Sequence, residues 1–154
     1  MTARFQNLQL QQTDLMLSNW REARLPARPQ NGWVRAVREA LGMSATAAAK
    51  RVGMSLAGLR KLEKAEANNV ITLASLQKLA ESLDCELQYA LVPRTSLAQT
   101  LKSRALQLAQ ERLAPVSHSM RLEDQSVEGA LGKAQLELLA KELLDGSRRE
   151  LWRE

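Results

Sequence analysis

A mainly α fold is what this sequence predicts, and three observations carry the prediction. Apolar residues recur at helical spacing along most of the 154 residues. The stretch GMSATAAAKRVGMSLAGLRKLE, residues 42–63, reads as two short helices hinged at Gly53, with Ser44 and Ser55 placed to cap them. One stretch alone, CELQYALV at 85–92, shifts to a period of about 2 and reads as a single β-strand.

Residues 8–23 place Leu8, Leu15, Trp20 and Ala23 among polar neighbours as a short amphipathic helix. RLPARPQN (24–31) has two prolines, which break helical hydrogen bonding and mark a linker whose arginines are free to move. From Trp33 to Leu41, Val34, Val37 and Leu41 form an inward stripe, and Arg35, Arg38 and Glu39 look outward. In the next helix Ala48, Ala49 and Val52 make a small-residue contact face, and Gly53 ends it. The helix after Ser55 turns Leu59 and Leu62 inward, leaving Leu56, Ala57, Arg60, Lys61 and Lys64 on its remaining surface. Past the Asn68-Asn69 turn, Thr72 starts a helix with Leu73, Leu76, Leu79, Ala80 and Leu83 as its buried stripe.

In the strand, Cys85, Leu87, Tyr89 and Leu91 share one side until Pro93 stops the pattern. A lone strand leaves its backbone amides and carbonyls unpaired, so a matching strand from a second subunit is expected, with Leu87, Tyr89 and Leu91 at the dimer contact. Ser96 and Gln99 form a capping box before a helix carrying Leu97, Leu101, Ala105, Leu108 and Ala109 to about Leu113, where Pro115 bends or ends it. A last helix from Lys133 presents Leu136, Leu139, Ala140 and Leu143, with Gly146 as its stop and Leu151 and Trp152 as anchors in the tail. Four segments follow: a helix and linker at 1–31, a helical core at 32–83, a strand at 84–93 and a helical region at 94–154.

The formal charge is +5, distributed as +6 over residues 1–83 and −1 over residues 84–154. The positive field therefore belongs to the two-helix motif, which suits a polyanion, while the remainder is balanced and open to protein contacts. One cysteine, Cys85, makes no internal disulfide and has no second thiol or histidine at metal-site spacing, so a cytoplasmic setting without a metal is expected. No run of some 18 apolar residues appears, which argues against a membrane partner. The sequence holds no glycine-rich phosphate loop, nucleophile elbow or metal-ligand pair, so neither catalysis nor a cofactor is expected. The sole histidine, His118, is read as structural.

Two short helices around a glycine, in a basic segment, are how a helix-turn-helix looks in sequence, and double-stranded DNA is the ligand it implies. Its second helix would lie in the major groove. There Ser55 reaches a phosphate, Leu56 or Ala57 touches a thymine methyl, and Arg60 or Lys61 donates to guanine. Ser44 sits at a helix N-terminus suited to a phosphate, and Lys50, Arg51 and Lys64 are cast as phosphate clamps. The bland alternative makes all these charges solvated helix surface.

Three segments, QNGWVRAVREALGMS (30–44), ITLASLQKLAESLDCELQYALVPR (71–94) and VSHSMRLEDQ (116–125), together resemble the family called mobile mystery protein A. Its helix-turn-helix belongs to the phage-repressor-like (Xre) superfamily. The resemblance spans most of the chain and implies a partner, the Fic-domain mobile mystery protein B, encoded alongside in what looks like a toxin–antitoxin pair. Fic domains commonly move AMP from ATP onto target hydroxyls. The implied role is an antitoxin that restrains this partner and represses its own operator. The strand also resembles the dimer-forming strand of other antitoxins of the superfamily.

The sequence departs from that pattern in places. Ala45 stands where such repressors often carry glutamine, and Leu56 and Ala57 stand where they carry polar residues, so direct base readout is expected to be sparse. Gly58 inside the reading helix costs about 1 kcal/mol relative to alanine. DQSVEG resembles the inhibitory segment of Fic systems, with Asp124 in place of the hydroxyl residue and Glu128 as the toxin-inhibiting glutamate. Two other readings stay open: a protein-interaction inhibitor acting through residues 95–154 without specific DNA binding, and a solitary phage-type repressor.

Overall fold

Most helices of this chain begin where an oxygen is available to accept their first free amides. The computed structural model describes residues 2–122 and 129–153, apart from the side chains of residues 117–122 and 130. The helices are α1 (Ala3–Ala23), α2 (Trp33–Ala40), α3 (Ala45–Val52), α4 (Leu56–Ala67), α5 (Leu73–Ser82), α6 (Leu97–Leu122) and α7 (Ala130–Asp145), followed by a 3-10 turn at Arg148–Trp152. Two compact units result: residues 25–90, and residues 1–24 together with 91–154. Residues 1–24 therefore group with the later helices. No helix among the described residues is long and apolar enough to cross a membrane.

In the 25–90 unit the capping oxygens are Ser44 Oγ for α3, Ser55 Oγ for α4 and Thr72 Oγ1 for α5. Each cap of this kind is worth about 1 kcal/mol. The apolar stripes meet in a core of Val34, Ala48, Ala49, Leu59, Leu79 and Leu83, with Val37, Met54, Leu62 and Leu76 packed around it. Leu59 and Leu79 are sealed from solvent, each contributing roughly 1.5–3 kcal/mol of burial.

Two carboxylates also enter this unit. Arg38 is buried and forms a two-pronged pair with buried Glu63, Nε to Oε1 at 2.7 Å and Nη2 to Oε2 at 3.2 Å. Its Nη1 donates to the Met43 carbonyl at 3.0 Å. The hydrogen bond from Glu63 holds the Arg38 guanidinium above its ordinary pKa, against the opposing pull of burial. Glu66, also buried, accepts from the amides of Trp33 (2.7 Å) and Val34 (3.0 Å) and so caps α2, whose own N-cap, Gly32, has no side chain to do it. A Cβ at Gly32 would lie 2.6 Å from Glu66 Oε2, and φ is +87° there, so this position takes glycine on both counts.

In the other unit, α6 packs on α7 through Ala105, Ala109, Ala140 and Leu143, closed by Leu151 of the 3-10 turn. The alanines let the helix backbones come close. Asp14 of α1 accepts the amides of Leu97 (2.6 Å) and Ala98 (3.0 Å), and Ser96 Oγ accepts that of Gln99 (3.0 Å), so α6 is capped twice over. Arg148 donates to the Gln6 carbonyl and to Asn7 Oδ1, and Arg104 Nε donates to the Leu151 carbonyl.

Several sequence expectations are corrected. The strand at 85–92 does not form: residues 85–93 have no regular secondary structure, and no strand occurs among the described residues. A ladder needs a second strand, and the described residues offer none. Instead Cys85 to Gln88 border an apolar cleft of about 360 Å³ lined by Trp33, Val34, Val37, Leu76 and Ala80. Arg38 points inward, not outward, and Arg28 is not free, since its Nη2 bonds Asn69 Oδ1 at 3.0 Å. Leu41, the residue that closes α2, and Leu73, the first of α5, are exposed. α1 runs to Ala3, well before residue 8, and α6 continues through Pro115 to Leu122. Trp152 is exposed, leaving Leu151 as the anchor.

Breaking the buried pair with Arg38→Ala should cost about 3–5 kcal/mol, because Glu63 is left charged and unpaired. Arg38→Met combined with Glu63→Leu should recover most of that loss. Amide hydrogen exchange at buried Leu59 reads both effects.

Candidate nucleic-acid interface

The polar surface of α3 and α4 is built by what those helices hide. Both acids of α4, Glu63 and Glu66, are consumed inside the unit, and α3 has none. The exposed charges of the two helices are therefore all positive: Lys50 and Arg51 on α3, Arg60, Lys61 and Lys64 on α4. A single-sign surface of this kind attracts a polyanion from a distance and holds it by counterion release.

Between α3 and α4 the chain reverses at Gly53, φ +77°, with the Gly53 amide donating to the Lys50 carbonyl and the Met54 amide to that of Ala49. Buried Ala48 and Ala49 let α4 approach α3 closely while Leu59 fills the space beneath. Ser55 Oγ accepts the Gly58 amide at 3.0 Å, fixing the first turn of α4, and Ser44 Oγ accepts that of Ala47 at 3.1 Å.

Of the residues singled out in the sequence, Ser44, Lys50, Arg51, Ser55, Ala57, Arg60, Lys61 and Lys64 are exposed and Leu56 is half-buried. Arg51 has a structural task as well, donating from Nε to the Ser82 carbonyl at 2.9 Å at the end of α5. Of the linker arginines, Arg24 belongs to the other unit and Arg28 is tied to Asn69. Tyr89 and Leu91 are strongly exposed, whereas Leu87 borders the apolar cleft. Glu128 lies outside the described residues.

Sequence reasoning missed a groove of about 620 Å³ beside α4, where Asn31 and Arg35 join Arg60 and Lys64. Arg38 and Glu63 form part of its lining. Arg35 pairs with Glu39 at 2.8 Å, and this guanidinium, with a smaller contribution from Arg38, holds the Glu39 carboxyl below the usual carboxylate range. The available signal was spacing: Arg38 lies one turn after Val34, and Glu63 one turn after Leu59, so each falls on a buried stripe.

Residues 34–89 match the family model described as helix-turn-helix. No curated protein and no solved structure matches the chain. The matched segment runs from α2 through α5 and into the irregular stretch beyond it, so α3, the Gly53 turn and α4 fall inside a segment similar to helix-turn-helix domains.

Replacing Lys50 or Lys64 with alanine should weaken binding to all duplexes alike and lower the slope of log affinity against log salt by about 0.9 for each phosphate left without its cation. A salt titration by fluorescence anisotropy checks this. Fold stability should change by less than about 0.5 kcal/mol, since both side chains are exposed.

Proposed function

We propose that this chain is a DNA-binding antitoxin that represses its own operator and restrains a Fic-domain partner encoded beside it, working by binding and not by catalysis. The observation that carries the DNA reading is the outward face of α3 and α4, on which every exposed charge is positive while both acids of α4 are buried. Lying in the major groove, α4 presents Ala57, Arg60 and Lys61 to base edges, with Ser44, Ser55, Lys50 and Lys64 toward phosphates. Repression follows from occupancy of the promoter.

The antitoxin role rests on the resemblance of residues 30–44, 71–94 and 116–125 to mobile mystery protein A. A homodimer fits the same reading: residues 85–92, irregular in the single chain, would become a strand only by pairing with a second copy, with exposed Tyr89 and Leu91 at the contact. Two recognition helices would then meet half-sites about 34 Å apart.

A footprint of the full chain on the DNA upstream of its gene, together with a pull-down of the neighbouring gene product, tests both halves. Arg60→Ala with Lys61→Ala should reduce preference for the operator over random duplex by about ten- to a hundredfold, as the loss of a guanine contact would. A protein that binds all duplexes equally at every salt concentration returns the chain to the interaction-inhibitor reading. With the Fic-domain partner co-expressed, Glu128→Ala should raise AMP transfer onto its targets while leaving the complex intact. Unchanged AMP transfer removes Glu128 from the inhibitory role.

A further inference from the structure

α1 is apolar on two opposite sides. Leu10 and Leu17 fall on the side that Asp14 and Thr13 share, and all four are half-buried. At about 100° per residue, Phe5, Leu8, Leu15 and Met16 fall within an arc of about 100° on the far side, with exposed Gln12 and Asn19 the polar residues among them. Those four are 53, 51, 72 and 72% exposed. A surface helix needs one apolar stripe to join its own fold, and a second stripe left in water marks an association surface.

The edges of the outer stripe say what fits it. Arg4 and Glu22 stand about five full turns apart, hence on the same edge of the helix. Both are exposed, and neither pairs with another described residue. Opposite charges at the two ends of one edge make a helix complementary to itself when reversed. A two-fold axis across the middle lays that edge on its own copy, so Arg4 meets Glu22 of the second chain at both ends while stripe meets stripe. The reversed arrangement also sets the two helix dipoles in opposition.

We propose that α1 is a self-association surface on which a second copy of this chain docks its own α1, antiparallel, through Phe5, Leu8, Leu15 and Met16. This contact is independent of the DNA-binding face and of the pairing edge at residues 85–92.

Sedimentation velocity of the full chain across a range of concentrations tests it, in a background carrying Tyr89→Lys and Leu91→Lys to disable that edge. The background protein should still dimerise, and Leu15→Glu should make it monomeric with an unchanged circular dichroism spectrum, since Leu15 is exposed. Arg4→Glu and Glu22→Arg should each weaken the dimer about tenfold, and the two together should restore it to within about threefold. A background protein monomeric at every concentration overturns the proposal, as does a dimer indifferent to Leu15→Glu. Failure of the double reversal to restore the affinity that each single reversal removes overturns it too. A monomer that holds a foreign protein, and releases it on Leu15→Glu, assigns the stripe to that protein instead.

Discussion

The direction in which α4 faces is fixed by two carboxylates on its inner side. Glu63 must meet Arg38, and Glu66 must meet the first amides of α2. Slipping α4 by one residue against α2 would turn both carboxylates through about 100° and leave Arg38, Glu63 and Glu66 as buried groups without partners. Each would then cost several kcal/mol, far more than any single apolar contact in the core could return. Leu59, sealed from solvent on the same inner side, selects the same rotation as the ionic contacts.

That rotation sets the sign of the surface. Because the acids are spent inside, the outer face of α4 is left with Arg60, Lys61 and Lys64, and Lys50 and Arg51 of α3 add to them. Burial of the acids and the positive outer face are thus two consequences of one arrangement. The same face is poor in side chains that read bases, since Leu56 is half-buried and Ala57 offers a methyl group. On a duplex, affinity for such a surface would come first from phosphates, and under the proposed function discrimination would fall to Arg60 and Lys61.

How much of this was legible in the sequence depended on range. Local signals are plain there: Ser44, Ser55, Thr72 and Ser96 cap the helices they precede, and Gly53 makes the turn between α3 and α4. A hydroxyl three residues before a free amide is a contact the chain cannot easily avoid. The clasp is only half legible: spacing puts Arg38 and Glu63 on the buried stripes of Val34 and Leu59, but nothing local says that the two meet, or that Glu66 caps α2, until α2 and α4 are brought together. The stretch at 85–92 misleads for a related reason. Alternation records which side chains could share a face, but a strand exists only where a second backbone accepts its hydrogen bonds. The candidate DNA face was visible as residues, and its lack of exposed acids was not.

Both units use the same device at different separations. Glu66 caps α2 across 32 and 33 residues of chain, and Asp14 caps α6 across 83 and 84. In each case a carboxylate on one helix satisfies the amides that another leaves free at its start, where the helix dipole also favours negative charge. Such a bond is directional in a way that apolar burial is not, so it specifies which helices pair as well as that they pair. For α1 the consequence is topological. A helix whose inward apolar side is modest, Leu10 and Leu17 half-buried and no residue fully so, is nevertheless placed by Asp14 at the head of α6 and by Arg148 at its own first turns. Residues 1–24 are therefore part of whatever surface residues 91–154 present to a partner, although the 25–90 unit lies between them in sequence.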